Sequence, residues 1–325
     1  MTTWPISLAD VEDARGRIRP HLPPTPMRRY AQLERRLGRG IQVFVKHENH
    51  NPTNSFKVRN AVAVLTSLTP EEGSAGVVAA TRGNHGQAVA WAGQRLGIPV
   101  TLCVPARNNP EKNEGMRGLG ARLIERGADY DEAISVADRL SAQDGLRLVH
   151  ATNDLQILAG AATIALEMVE QEPGLDAIVT SLGGGSQAVG ALTVARAMRL
   201  ELDVFGVQSA AAPTMHDSWH AGRPSLRPAG TTIAEGLDTR DVYELTFGTL
   251  CEGLADFLTV TEAEIAEAIR VLLVATHNLA EGAGATGLAG LFKLADRLAG
   301  KKVGIVVSGA NIEQETLRRV MRGEI

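Results

Sequence analysis

Cysteine is almost missing: Cys103 and Cys251 are the only two in 325 residues. Two cysteines make no disulfide framework, and Cys103, inside the apolar run Val100–Val104, reads as a buried free thiol. No stretch approaches the roughly 20 uninterrupted apolar residues that a membrane span needs. The start, Met1-Thr2-Thr3-Trp4-Pro5, has no charged segment leading into an apolar one, so no secretory signal is read there. Lys and Arg form no run or stripe and the formal net charge is −4. Neither nucleic acid nor an anionic membrane surface finds an electrostatic footprint. Repeats and low-complexity tracts are absent as well. Together these absences predict a soluble protein of a reducing cytoplasm.

What is present is ordinary globular composition, 44% hydrophobic and 22% charged, in a chain long enough for two lobes with a cleft between them. Short β-rich runs alternate with helical patterns. Strands are expected at 76–80, 100–104, 121–124 and 146–149, with helices at 84–96, 110–119 and 129–143 between them. A second series follows: a helix at 155–171, a strand at 176–181, a helix at 187–200 and a strand at 204–208. Thr261 with Glu264 forms a capping-box pattern that starts another helix. The run 303–307 is a further strand, and Asn311 is expected to open the last helix. The segment His220–Thr232 reads as a loop. Strands spaced by ten to fifteen helical residues give βαβ units, hence an α/β fold with two open, twisted, mostly parallel sheets flanked by helices.

In such sheets ligands collect where strands end and helices begin. Three of these turns have unusual chemistry: Thr81-Arg-Gly-Asn-His-Gly-Gln87, Ser181-Leu-Gly-Gly-Gly-Ser186 and Ser308-Gly-Ala-Asn311. Gly183, Gly184 and Gly185 run into Ser186 at a helix start, where backbone approaches closely and free N–H groups face outward; a phosphate is the natural guest. No P-loop and no convincing dinucleotide fingerprint is present, so a small phosphorylated cofactor gains over ATP or NAD. Lys57 falls in the first turn of a helix after the polar turn Asn51–Phe56. A cation there opposes the helix dipole, and a helix start would lower an amine's pKa toward that of a nucleophile. A solvent-exposed lysine beside Arg59 fits the local pattern equally well.

Taken in order, these motifs resemble those of the fold-type II pyridoxal phosphate (PLP) enzymes, which are tryptophan synthase β-like, and within them the threonine/serine dehydratase (ammonia-lyase) family. Pro52-Thr-Asn-Ser-Phe-Lys57 resembles P-T-G-S-F-K, Thr81-Arg-Gly-Asn-His85 resembles S-x-G-N-H, and Val307-Ser-Gly-Ala-Asn311 resembles V-S-G-G-N. Gly183–Ser186 is similar to the family's phosphate loop, and Glu281–Gly287 is a looser match to its E-x-S-G-A-x-G turn. The likeness spans residues of about 20 to 315. It implies PLP held as a Schiff base on Lys57, which also acts as the catalytic base. It further implies Phe56, Asn84, Glu281 and Ser308 around the ring, and Gly183, Gly184, Gly185 and Ser186 on the phosphate. The substrate amino acid would lie against Ser55, Thr81, Arg82, Gly83, Asn84 and His85. By the same resemblance the cofactor phosphate protonates the leaving β-hydroxyl, and the enamine released hydrolyses to a 2-oxo acid and ammonia. The chain is expected to be a homodimer, with 1–74 plus 151–325 as a large cofactor domain and 75–150 as a small one.

Departures from the family pattern carry their own expectations. Asn54 stands in place of the motif's usual glycine, and asparagine is the best substitute if φ is positive. Arg82 replaces a small residue; in serine racemase a serine there is the second acid/base, a role arginine cannot take. Arg82 is expected to salt-bridge a neighbouring loop or face solvent, or else to pair with a second carboxylate, as in 3-hydroxyaspartate. Gln208 and Thr214 occupy the places of a metal-binding glutamate and aspartate in racemase-like members, so no tight divalent cation is expected. His216 and His220, four apart, read as ordinary helix residues, not ligands. The chain stops soon after the catalytic fold, so no feedback by an end-product amino acid through a following regulatory domain is expected. L-threonine or L-serine is the leading substrate. Alternatives are 3-hydroxyaspartate or phenylserine, a β-replacement reaction as in cysteine synthases, and a non-catalytic phosphate-ligand sensor.

Overall fold

The structure, a computed structural model, describes residues 4–226 and 230–325. The first three residues, and residues 227–229 of the expected loop His220–Thr232, lie outside these. Among the described residues ten strands form two sheets: β1 Met27–Arg29, β2 Gln42–His47, β3 Val77–Ala80, β4 Val100–Val104, β5 Arg122–Glu125, β6 Arg147–Leu148, β7 Ala177–Ser181, β8 Asp203–Ser209, β9 Asp256–Val260 and β10 Lys302–Val307. The larger sheet has the order β1-β2-β10-β7-β8-β9 and the smaller β5-β4-β3-β6. Every pairing is parallel except β1 with β2. The smaller sheet is confined to residues 77–148.

Local signals mark several helix starts. Thr261 and Glu264 make the expected reciprocal capping box at the helix Glu262–Thr276. Asp154 accepts from the Gln156 N–H at the start of Leu155–Gln171. That helix is buried along nearly its whole length, between the helices Lys57–Leu65 and Ser186–Ala197. Gly160 permits the contact with the first of these: a Cβ there would lie 2.9 Å from the Arg59 carbonyl oxygen. The helix expected at 187–200 is Ser186–Ala197, ending three residues early, and the end of the chain departs further. The last helix is Gln314–Met321, not one opened by Asn311. The Asn311 amide instead donates to the Thr53 carbonyl at 2.9 Å and to Asn84 Oδ1 at 2.7 Å, which holds its backbone outside the helix.

Strand order puts the carboxyl ends of β7 and β10 side by side. The turns after them, and the turn after β3 of the smaller sheet, face one cleft. Two bonds fasten the turn before Lys57 to the turn after β10: Phe56 N–H to the Ser308 carbonyl, and Ala310 N–H to the Asn54 carbonyl, both 2.9 Å. Asn54 sits at φ +53°, the left-handed conformation foreseen for it. Beneath this junction Arg59 is fully buried, not exposed beside Lys57. It bonds Glu48 at 2.7 Å and Glu167 at 2.6 Å, and Lys46 adds a 2.6 Å bond to Glu167. Two cations thus face two carboxylates, with Thr25 Oγ1 donating to Glu48 at 2.6 Å.

Candidate active site

One cavity of about 200 Å³ occupies the cleft and gathers all three turns and Lys57. Every site residue anticipated from the sequence lines it except Ser55, which is fully buried behind it, its hydroxyl without a hydrogen-bond partner.

Lys57 is the first residue of its helix, and among the described residues its amine donates only to the Ala151 carbonyl, at 3.0 Å. Burial pulls the ammonium down to about 8. The Phe56 ring lies 5.1 Å from the Lys57 nitrogen. Across the cleft the glycines are fixed by their neighbours. A Cβ on Gly183 would meet the Gly236 carbonyl oxygen at 2.8 Å, and one on Gly184 would meet Thr152 Oγ1 at 2.5 Å and Tyr243 at 2.8 Å. Gly185 adopts φ +97° as it leads into Ser186–Ala197. The Ser181 hydroxyl, on the same wall, is buried and unpartnered. Bare backbone, a helix start and an orphaned hydroxyl are the groups that a phosphate cradle needs.

Asn84 heads the helix Asn84–Leu96 and joins the two sides of the floor. Its amide donates to Glu281 Oε1 at 2.7 Å and its oxygen accepts from Asn311. Burial raises the Glu281 carboxyl to about 7, against the Asn84 bond that favours its ionised form. The Thr81 hydroxyl is engaged within its own loop, accepting from the Gly83 and Gly86 N–H groups at 3.0 and 2.9 Å, a role not anticipated from the motif. Those two donors are therefore turned inward. The N–H groups of Asn84 and His85, at the helix start, are the ones left for an anion. Burial, then the charge of Lys57, pushes His85 down to about 3, so it stays neutral. Ser308, 4% exposed, lines the same cavity.

Arg82 points into the cavity wall, pairs with Asp238 at 3.1 Å and stacks over Tyr130 at 5.5 Å. The expectation of a salt bridge to a neighbouring loop describes this arrangement. Tyr130, Lys112 and Tyr243 also line the cavity and were not anticipated, because no local pattern marks them; Arg240 lines it too, at the end of the segment 230–240 where side-chain specificity is expected from the sequence. Gln208 is committed to the protein: it accepts from the His216 N–H at 3.0 Å and donates to the Leu237 carbonyl. His220 bonds the Phe257 carbonyl at 3.0 Å and His216 pairs with Asp217.

An α/β protein that sets a partly desolvated lysine at a helix start opposite a glycine phosphate cradle has the architecture of a PLP enzyme of fold type II. The chain belongs to that family: residues 18–309 match the family described as pyridoxal-phosphate dependent enzyme, and its cofactor is pyridoxal 5'-phosphate. It is 36% identical to the L-threonine ammonia-lyase of Thermotoga maritima, over 97% of this chain and 78% of that one. It is 31% identical to the catabolic L-threonine dehydratase of Staphylococcus aureus, over 95% and 90%. Among solved structures, the serine racemase of Dictyostelium discoideum superposes with a TM-score of 0.87 at 32% identity, covering 95% of this chain and 99% of that one. The processed threonine deaminase isoform 2 of Solanum lycopersicum gives 0.92 at 28% identity, covering 97% and 87%. The chain is thus related to both threonine dehydratases and serine racemases. No helix among the described residues is long and apolar enough to cross a membrane.

Proposed function

We propose that the protein is an ammonia-lyase that converts a β-hydroxy amino acid, L-threonine or L-serine first, into a 2-oxo acid and ammonia. The observation that carries this reading is the placement of the Lys57 amine in one cavity with the Gly183–Ser186 cradle and the Thr81–His85 loop. The residues present suit the cofactor. The cradle and the start of Ser186–Ala197 would hold its phosphate, Ser308 its ring nitrogen, and Asn84 its ring oxygen, with Phe56 alongside. When bound, the cofactor supplies an electron sink that makes the substrate's Cα–H acidic enough to lose.

The chain's own residues do the rest. The N–H groups of Asn84 and His85 orient the substrate carboxylate. Lys57, once free, takes the Cα proton at Nζ; burial leaves a useful fraction of it neutral near pH 7–8, where a lysine in water would be almost wholly charged. The neutral His85 adds no competing charge. Cα–H and Cβ–O break and water leaves; hydrolysis of the released enamine consumes one water and frees ammonia.

Release of 2-oxo acid by the cofactor-loaded enzyme across L-threonine, L-serine, D-serine and phenylserine tests the reading. Turnover of a β-hydroxy amino acid supports it. Silence across the panel with a borohydride-trappable lysine would move the assignment to β-replacement, checked by adding a thiol or sulfide.

A further inference from the structure

Apart from Lys57 and Glu281, the cavity wall carries three cations, Arg82, Lys112 and Arg240, against five carboxylates. Each cation is already engaged. Arg82 pairs with Asp238 at 3.1 Å, Lys112 with Glu235 at 2.6 Å and Glu313 at 3.3 Å, and Arg240 with Asp131 and, outside the wall, Asp129. The fifth wall carboxylate, Asp241, is exposed and makes no ion pair or hydrogen bond among the described residues. The cofactor's phosphate adds further negative charge. A second carboxylate on the substrate would therefore enter a field of its own sign.

Hydrogen-bonding capacity on the same wall is nevertheless in surplus. Arg82 uses only Nη1 among the described residues. Arg240 Nε and the Thr239 hydroxyl are buried without partners. The Tyr130 ring fixes the plane of the Arg82 guanidinium, and Asp238, 5% exposed at its side chain, holds it from the other side. The free Arg82 nitrogens lie beside Asp238, whose Oδ1 accepts only a 3.4 Å bond from the Gly230 N–H and keeps a lone pair for a further donor, in a wall with no net positive charge to offer. A group that both donates and accepts while carrying no charge matches this; a carboxamide is the simplest.

We propose that Arg82, Asp238 and Arg240 form the specificity subsite for the end of the substrate side chain, and that it selects an uncharged hydrogen-bonding group such as a carboxamide and rejects a second carboxylate. This rests on the ammonia-lyase reading above and moves its substrate from L-threonine or L-serine to a β-hydroxy amino acid whose side chain ends in an uncharged polar group. It argues against 3-hydroxyaspartate, the substrate that an unpaired Arg82 would have favoured.

The test uses the cofactor-loaded enzyme and two readouts. The first is binding of the unreactive L-asparagine and L-aspartate, followed by the visible absorbance of the cofactor. The second is 2-oxo acid release from 3-hydroxyasparagine and 3-hydroxyaspartate. The expected result is a preference of about tenfold for the carboxamide in both readouts. Asp238→Asn, which removes one negative charge and loosens Arg82, should bring both ratios close to unity, and Arg82→Ala should weaken asparagine binding about tenfold. Aspartate binding as tightly as asparagine, or ratios unmoved by Asp238→Asn, overturns the subsite. The two proposals fail separately. The binding order without 2-oxo acid from any substrate sinks the lyase reading alone, and turnover with no binding preference sinks the subsite alone.

Discussion

The Lys57 amine is held by one backbone oxygen, the Ala151 carbonyl 3.0 Å away. Burial lowers its pKa, and among the described residues no carboxylate pairs with it to offset that. A carbonyl anchors the nitrogen without neutralising it by ion pairing, so the amine can leave and return.

Lys57→Ala should lower 2-oxo acid formation by at least about 10³-fold and abolish borohydride-stable labelling of the chain by the cofactor. Mass spectrometry of the reduced, digested protein locates the label. Labelling at another lysine would remove Lys57 from the mechanism.

Gly184→Ala should raise the cofactor's Kd about tenfold or more, because the new Cβ would lie 2.5 Å from Thr152 Oγ1 and push the cradle apart. Titration of the apoprotein with cofactor, read by absorbance, checks this. An unchanged Kd would show that the phosphate sits elsewhere.

Glu281 carries a pH signature in the apoprotein. Its carboxyl is raised from 4.5 to about 7 by burial, so between these values the folded state binds more protons than the unfolded one. Stability from this group is complete below about pH 4.5 and is lost as pH rises through 7. The amount is on the order of 3 kcal/mol. Glu281→Gln, neutral at all pH, should flatten that part of the profile in urea melts at pH 5 and pH 8. Parallel profiles for the two proteins would mean that Glu281 ionises normally.

Arg59→Met should destabilise the fold by about 3–5 kcal/mol, since Glu48 and Glu167 would share Lys46 as their only remaining cation within that cluster. Urea unfolding measures it. A loss below about 1 kcal/mol would mean that the buried quartet relaxes or takes in water.

Serine racemisation should be slower than 2-oxo acid release by at least about 100-fold. Racemisation needs an acid/base on the face opposite Lys57, and a guanidinium stacked on Tyr130 and paired with Asp238 is not suited to that role. Chiral chromatography of the reaction decides it, and comparable rates would assign the second proton transfer to another group.

What could be read from the sequence was local in origin. Hydrophobic period placed the strand 100–104 and the helices 84–96 and 155–171 at their observed bounds, and the Thr261–Glu264 box placed a helix start. Runs of glycine marked the cradle, and a residue able to adopt positive φ explained Asn54. Each depends on a few consecutive residues and their intrinsic geometry. The strand Gln42–His47 was missed: its end carries Lys46 and His47, polar residues that are buried only because a carboxylate and a tyrosine from elsewhere meet them. Tertiary structure alone put β10 between β2 and β7, turned the Gly83 and Gly86 donors toward Thr81, and drew Asn311 out of the last helix. It also set Arg82 against Asp238, a partner 156 residues away. Backbone preference acts over neighbours, whereas charge pairing and desolvation in a cleft depend on which distant segments the fold brings together.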